Sequence, residues 1–223
     1  MIENANELQE ENGGKQSNAS TSGRLKGISK EEISGQGILF FIAGYDTTNA
    51  TLCHVLYHLV RYSDWQDRLH AELTPIEDRL DYEVLRDLPV LNAVINETLR
   101  LCPPLIFIQR CTAKDTTLLD TGIKLEKNTI LTISPYVIHR NPEYFPDPES
   151  FKPERFMDKS TENHIAFMPF GVGPRLCVGM RFALNELRLG VANLILRYRL
   201  LPDPNLEVSG CKFVSDFVLA NTF

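Results

Sequence analysis

An apolar pattern runs from Ile33 to about Tyr62, behind Ser29-Lys30-Glu31-Glu32, where the serine and the second glutamate are spaced to cap each other's backbone amides. It predicts one long helix, about 45 Å at 1.5 Å per residue. The middle of this run, Ala43-Gly44-Tyr45-Asp46-Thr47-Thr48, is a weak helix former, and a Thr47 hydroxyl bonded back to the Ala43 carbonyl is expected to open the helix locally. Ser63-Asp64-Trp65-Gln66 repeats the capping signature and opens a short helix to about Leu73, ended by Pro75. Tyr82 to Leu88 reads as one more helical segment. Pro89 then starts a stronger helix, Val90 to Leu101, closed by Cys102-Pro103-Pro104.

Leu105 to Arg110 and Thr129 to Ser134 read as strands, joined by a turn-containing connection, Thr117 to Lys127, around Asp120-Thr121-Gly122. A Pro-rich irregular stretch follows from Asn141, and a last helix runs from behind Cys177 to about Tyr198. The fold class is therefore mainly α with a small β-sheet, an α+β arrangement. Residues 1–28 carry Asn, Glu, Gly, Ser and Lys with almost no large apolar side chain, so they bury too little surface to offset ordering and read as a flexible polar tail or linker ahead of a globular part, residues 29–223.

Composition narrows the function without naming it. With 43% hydrophobic and 23% charged residues the chain is ordinary globular material, and a net charge of −6 with no basic run gives no basis for binding nucleic acid. Five cysteines without a CxxC or a zinc-like spacing point to neither a disulfide framework nor a structural zinc site, which fits a reducing compartment. No apolar run approaches the length that crosses a bilayer and the N-terminus is no signal peptide, so the chain as written is expected to be soluble. The sequons at Asn18, Asn49 and Asn96 are read as chance occurrences. The histidines, His54, His58, His70, His139 and His164, have no partner at catalytic spacing and are read as core or surface residues.

The chemistry concentrates in Phe170-Gly171-Val172-Gly173-Pro174-Arg175-Leu176-Cys177-Val178-Gly179, directly ahead of the last helix. Free amides at a helix mouth stabilise a negatively charged sulfur, glycines let backbone approach a flat bulky partner, and Arg175 can meet an anionic group on it. Chance coincidence of Phe170, Gly173, Arg175, Cys177 and Gly179 is on the order of one in millions of windows at average residue usage. Upstream, Glu97 and Arg100 share one helix face at i, i+3, and Lys152-Pro153-Glu154-Arg155-Phe156 lies in the irregular stretch between them and the cysteine. Arg110 ends an apolar strand, where a charge calls for an anion.

In this order the three strings Ala43-Gly44-Tyr45-Asp46-Thr47, Glu97-Thr98-Leu99-Arg100 and Phe170 to Gly179, with Pro153-Glu154-Arg155-Phe156 between the last two, resemble the cytochrome P450 family from about Ser29 onward, and in wording its animal microsomal, xenobiotic-oxidising branch. The resemblance implies the C-terminal, haem-binding half of that fold. It implies a haem, iron protoporphyrin IX, with Cys177 as thiolate ligand to the iron. Phe170, Gly173, Arg175, Gly179, Arg110 and Ala43 would surround the cofactor, the two arginines on its propionates. Asp46 and Thr47 would guide protons. Ile42, Ala43, Leu105, Ile106 and Phe107 would line a substrate cavity, while Glu97, Arg100 and Arg155 would form a buried structural network whose loss of one member costs about 3–5 kcal/mol.

The implied activity is monooxygenation: one atom of O2 enters an apolar small-molecule substrate, with electrons from an NADPH-dependent flavoprotein reductase. For a full-length parent the implied location is the cytoplasmic face of the endoplasmic reticulum membrane. Family members are roughly twice this length, a departure that places the membrane anchor and further cavity helices ahead of Ser29 and leaves apolar faces of the 30–62 and 90–101 helices expected to be exposed. Two alternatives stand beside this reading: a truncated, catalytically inactive gene product, and a haem-thiolate isomerase that needs no external electrons, against which the Asp46-Thr47 pair argues.

Overall fold

Helix α1 (Lys30–Arg61) begins where its capping box predicts, the Ser29 amide donating to Glu32 Oε2 at 2.8 Å and the Glu32 amide to Ser29 Oγ at 3.2 Å. The computed structural model describes residues 27–202; the expected tail up to residue 26, the Asn18 sequon, Cys211 and the C-terminal edge lie outside them. The chain divides into two compact units, 1–43 and 44–223, and the dividing line falls within α1. In the first unit Ile38, Leu39, Phe40, Phe41 and Ile42 are all exposed. Among the described residues no helix is long and apolar enough to cross a membrane.

In the second unit Gly44 to Thr48 are helical throughout, so the expected local opening is not found there. The face carrying Thr48, Thr51, Val55, His58 and Leu59 is buried, and this packing outweighs the weak local propensity. Thr51 Oγ1 donates back to the Thr47 carbonyl at 2.8 Å, a bond of the kind expected in this part of the helix.

Helix α2 (Ser63–Leu73) follows, without the predicted capping box: Tyr62 occupies the N-cap position and no side chain caps it. Gln66 is engaged elsewhere, its amide donating to the Leu59 and Leu200 carbonyls at 3.2 and 3.1 Å while its oxygen accepts from the Leu200 amide at 2.7 Å. A short α3 (Tyr82–Arg86), capped by Asp81, leads to α4 (Pro89–Leu101), which has proline in its first turn as predicted. The first free amides of α4, on Val90 and Leu91, donate to the two oxygens of Glu72 on α2 at 2.8 and 2.9 Å.

α4 is the centre of the unit. Every residue from Ala93 to Leu101 is buried, which corrects the expectation of an exposed apolar face there. α2, α7 (Met180–Arg197) and the Pro153–Phe156 turn enclose it, with Leu69, Leu73, Val191, Ala192 and Ile195 in the shared core. Asn96 is among the buried residues, so its sequon is unusable in the fold.

The expected small sheet is two separate antiparallel pairs. β1 (Ile108–Cys111) pairs with β4 (Ile130–Ile133) in the register Ile108↔Ile133 to Cys111↔Ile130, and β2 (Thr116–Thr117) pairs with β3 (Lys124–Leu125) in the intervening connection. Leu105 to Phe107 fall outside the strand. Pro103 and Pro104 supply no N–H for a ladder, and the Ile106 carbonyl is taken by the Ser134 hydroxyl at 2.8 Å. Short α5 (Pro135–Ile138) and α6 (Lys159–Glu162) flank the irregular stretch that leads to the cysteine loop.

Candidate functional site

Glu97 and Arg100 are spaced to meet on one face of α4, and the enclosing elements remove both from water, each side chain being 0% exposed. The guanidinium is fully used. Its Nε and one Nη2 proton grip Glu97 Oε2 and Oε1 at 2.7 and 2.9 Å, Nη1 donates to the carbonyls of His139 and Pro148 at 2.9 and 2.8 Å, and Nη2 also donates to Ser150 at 3.2 Å. Glu97 Oε1 also accepts the Lys152 amide at 2.7 Å and stands 3.5 Å from Arg155 Nε. Arg155 Nη2 donates to the Asp147 carbonyl at 2.8 Å. Thus the three residues expected to form a buried network are brought together, and four carbonyls of the irregular 139–150 stretch are fixed by two arginines.

Sequence reasoning missed His139. It is 0% exposed, its Nδ1 lies 3.1 Å from the Arg100 carbonyl, and its Nε2 accepts the Met168 amide at 3.0 Å. Burial lowers its pKa to about 4, the bond to the Arg100 carbonyl offsetting part of the effect and the charges of Arg100 and Arg140 adding a little to it, so the ring is neutral near pH 7. The string His139-Arg140-Asn141-Pro142 marks a turn but carries no signal for a histidine reaching back to α4.

Met168 begins the cysteine loop. The Gly171 amide donates to the Met168 carbonyl at 3.0 Å, and the Cys177 amide to the Phe170 carbonyl at 2.9 Å, folding the loop onto itself. Gly171 and Gly173 take φ of +77° and +73°, a backbone region closed to most side chains, and Gly173 opens the single turn Gly173–Arg175. Phe170 packs against the core. Cys177 is free and exposed, three residues ahead of the first residue of α7, with Gly179 in the N-cap position. A Cβ at Gly179 would stand 3.9 Å from the Cys177 sulfur, an ordinary van der Waals contact.

The other predicted residues are distributed as follows. Asp46 and Thr47 are half-buried on α1, between Tyr45 and Thr48, which with Glu186 border a cleft of about 200 Å³ that neither of the two lines. Ile42 and Ala43 are exposed within the first unit, and Leu105 and Phe107 are exposed while Ile106 is half-buried. Ile108 of β1 comes within 3.8 Å of a Cβ placed on Gly171, which brings the strand of Arg110 to the cysteine loop. Arg110 itself is exposed and donates to the carbonyl of Gln109 at 2.8 Å, so the argument from a buried charge in need of an anion does not hold for it.

The donor set suits a haem. Among the described residues no cluster of three or more metal-ligating side chains exists, and the Cys177 sulfur is free and exposed. Arg110 and Arg175 make no ion pair among the described residues and remain available to carboxylates. Exposed Val172, Leu176 and Val178 give the loop an apolar surface.

Comparison with known proteins gives the family. Residues 7–220 match the family model described as Cytochrome P450. Cytochrome P450 3A29 of Sus scrofa is 37% identical over 188 residues, 82% of this chain and 37% of that protein. Lithocholate 6-beta-hydroxylase of Mesocricetus auratus is 38% identical over 199 residues, 87% of this chain and 39% of that protein. Leukotriene-B4 omega-hydroxylase 3 of Mus musculus is 38% identical over 185 residues, 80% of this chain and 35% of that protein. The chain thus spans less than two fifths of the length of these relatives. A buried Glu-Arg pair, an exposed cysteine behind it and a family match over nearly all of the sequence lead to one statement: the chain belongs to the cytochrome P450 family.

Proposed function

We propose that this chain is the haem-bearing part, residues 29–223, of a monooxygenase, preceded by a polar tail over residues 1–28. The observation that carries the reading is a free, exposed cysteine sulfur on a loop tied to a buried Glu97–Arg100 scaffold. Cys177 as thiolate would hold the iron, Arg175 and Arg110 the propionates, and Phe170, Gly173 and Gly179 would shape the cradle. The chemistry the haem supplies when bound is the insertion of one atom of O2 into an apolar substrate, with two electrons and two protons taking the other atom to water.

The residues of this chain supply the rest. Asp46 is a carboxylate acid–base group beside the Thr47 hydroxyl on α1, and together they deliver protons through water. Leu105, Ile106 and Phe107 offer apolar contacts to an apolar substrate, a class consistent with relatives named for hydroxylation of lithocholate and leukotriene B4. Electrons come from an NADPH-dependent flavoprotein reductase, and a full-length parent sits on the cytoplasmic face of the endoplasmic reticulum membrane.

The test is spectroscopic. The 223-residue chain reconstituted with haemin, reduced and exposed to carbon monoxide should show a red-shifted, thiolate-type Soret band that is absent in Cys177→Ala. An unchanged band in the variant would overturn the ligand assignment. Failure of the unmodified chain to take up haemin would instead favour the reading of a chain that keeps the scaffold without the activity.

A further inference from the structure

We propose that His139 is a positioning residue that sets where the cysteine loop stands relative to α4, acting as a neutral spacer protonated at Nδ1. The inference deepens the haem-thiolate reading above and rests on it for its functional meaning, though not for its geometry.

The ring has two polar atoms and both have partners of fixed sense. A backbone carbonyl, that of Arg100, can only accept, and a backbone amide, that of Met168, can only donate. The ring must therefore present N–H at Nδ1 and a lone pair at Nε2, the one neutral tautomer that satisfies both. The imidazolium would set its Nε2–H against the Met168 N–H. The same residue is held on its backbone side: its carbonyl accepts from Arg100 Nη1 at 2.9 Å, and its amide donates to the Pro135 carbonyl at 2.8 Å. Phe145 and Phe167 flank the ring at centroid distances of 5.9 and 5.5 Å.

What the ring connects is the point of the inference. At one end is the last turn of α4, whose carbonyls have no partner within the helix and where Arg100 also carries the buried ion pair. At the other end is Met168, whose carbonyl takes the Gly171 amide in the turn that delivers Phe170, whose carbonyl in turn takes the Cys177 amide. One side chain thus spans from the ion-pair helix to the loop that presents the sulfur. Neither α7 nor β1 offers an equivalent hydrogen bond to residues 168–171 among the described residues.

The experiment uses the 223-residue chain as expressed, His139→Phe, which keeps a flat ring and loses both bonds, and His139→Gln, which keeps one donor and one acceptor. Amide hydrogen exchange without haem is expected to rise about tenfold over residues 168–177 in His139→Phe, with α2 unchanged, and to be partly restored in His139→Gln. After haemin loading, the thiolate-type fraction of the ferrous carbonyl spectrum is expected to fall in the same order. Unchanged exchange over 168–177 in His139→Phe overturns the proposal, and so does exchange that rises equally in α2, which would mark general loosening. Should His139→Phe fail to fold, the exchange of His139→Gln decides, a selective rise over 168–177 supporting the proposal and an unchanged or uniform pattern overturning it. Altered exchange together with no thiolate band in the unmodified chain would leave the positioning role standing and remove the haem reading.

Discussion

His58 is a buried imidazole whose two ring nitrogens have no hydrogen-bond partner among the described residues, and its replacement by phenylalanine should stabilise the fold. The ring lies on Phe151 at a centroid distance of 4.4 Å and an interplanar angle of 9°, a contact that a phenyl ring retains. Two unpaired polar atoms cost about 2–6 kcal/mol together, against which the larger ring's overpacking sets about 1–3 kcal/mol, so the midpoints give a net gain of about 2 kcal/mol at pH 7.5. The acid limb is more decisive. Burial, aided by His54, Arg61 and Arg100, lowers the His58 pKa from 6.5 to about 3. The unfolded chain therefore takes the proton first: stability from this group is complete above about pH 6.5, is lost as pH falls toward 3, and amounts to about 5 kcal/mol in all. At pH 4.5 the loss is about 3 kcal/mol, which His58→Phe should escape while keeping the parallel loss from His139. Urea unfolding followed by the fluorescence of Trp65, the single tryptophan and a core residue, measures both proteins at pH 7.5 and 4.5. An equal loss of stability in the two proteins between these pH values would refute the reasoning.

Two further outcomes rest on the scaffold. Arg100→Lys keeps the charge but cannot supply five N–H donors, so it should lower stability by about 3–5 kcal/mol in the same urea assay; a loss under 1 kcal/mol would show that the carbonyls of residues 139, 148 and 150 find other partners. Asp147 has φ of +50°, and its carbonyl is the acceptor for Arg155. Asp147→Val should therefore be less stable than Asp147→Gly by about 1–2 kcal/mol, and equal midpoints would mean the left-handed conformation is not required.

Two copies of one signature show how far the sequence could be read. Ser29-x-x-Glu32 and Ser63-x-x-Gln66 are equivalent as strings, yet only the first closes its reciprocal bonds. The difference is a partner 134 residues away, the backbone of Leu200, which takes both ends of the Gln66 amide. Local helix signals were sufficient for α1, α3, α4 and α7 because their ends depend on nearby serine, aspartate, proline and glycine. The two-pair β arrangement was not legible, since each pair has only two to four residues and its register is set across loops. At the site, the Glu97–Arg100 spacing was visible in the pattern itself, whereas the burial of the pair was expected only through the family resemblance. An i, i+3 pair on an exposed helix is worth a few tenths of a kcal/mol, and only the enclosing stretch from His139 to Arg155 changes its meaning. Arg110 shows a second limit of local reading, since apolar neighbours in sequence did not mean burial and its side chain is exposed.

The buried pair is better understood as a template than as a source of stability. Removing two charges from water costs several kcal/mol each, and a well-packed apolar pair would often do as well. An apolar pair could not, however, place the 139–150 stretch, which has no ladder of its own to satisfy its carbonyls. Arg100 binds three of them and Arg155 a fourth, while Glu97 takes the Lys152 amide that follows. The charge on Arg100 thus fixes where the backbone of His139 lies, His139 fixes Met168, and Met168 starts the loop whose amide at Cys177 closes on Phe170. An exposed sulfur on a glycine-rich loop is thereby positioned by a group with no contact to it. The residues that govern this cysteine are accordingly to be sought on α4 and around His139 as much as in the loop itself.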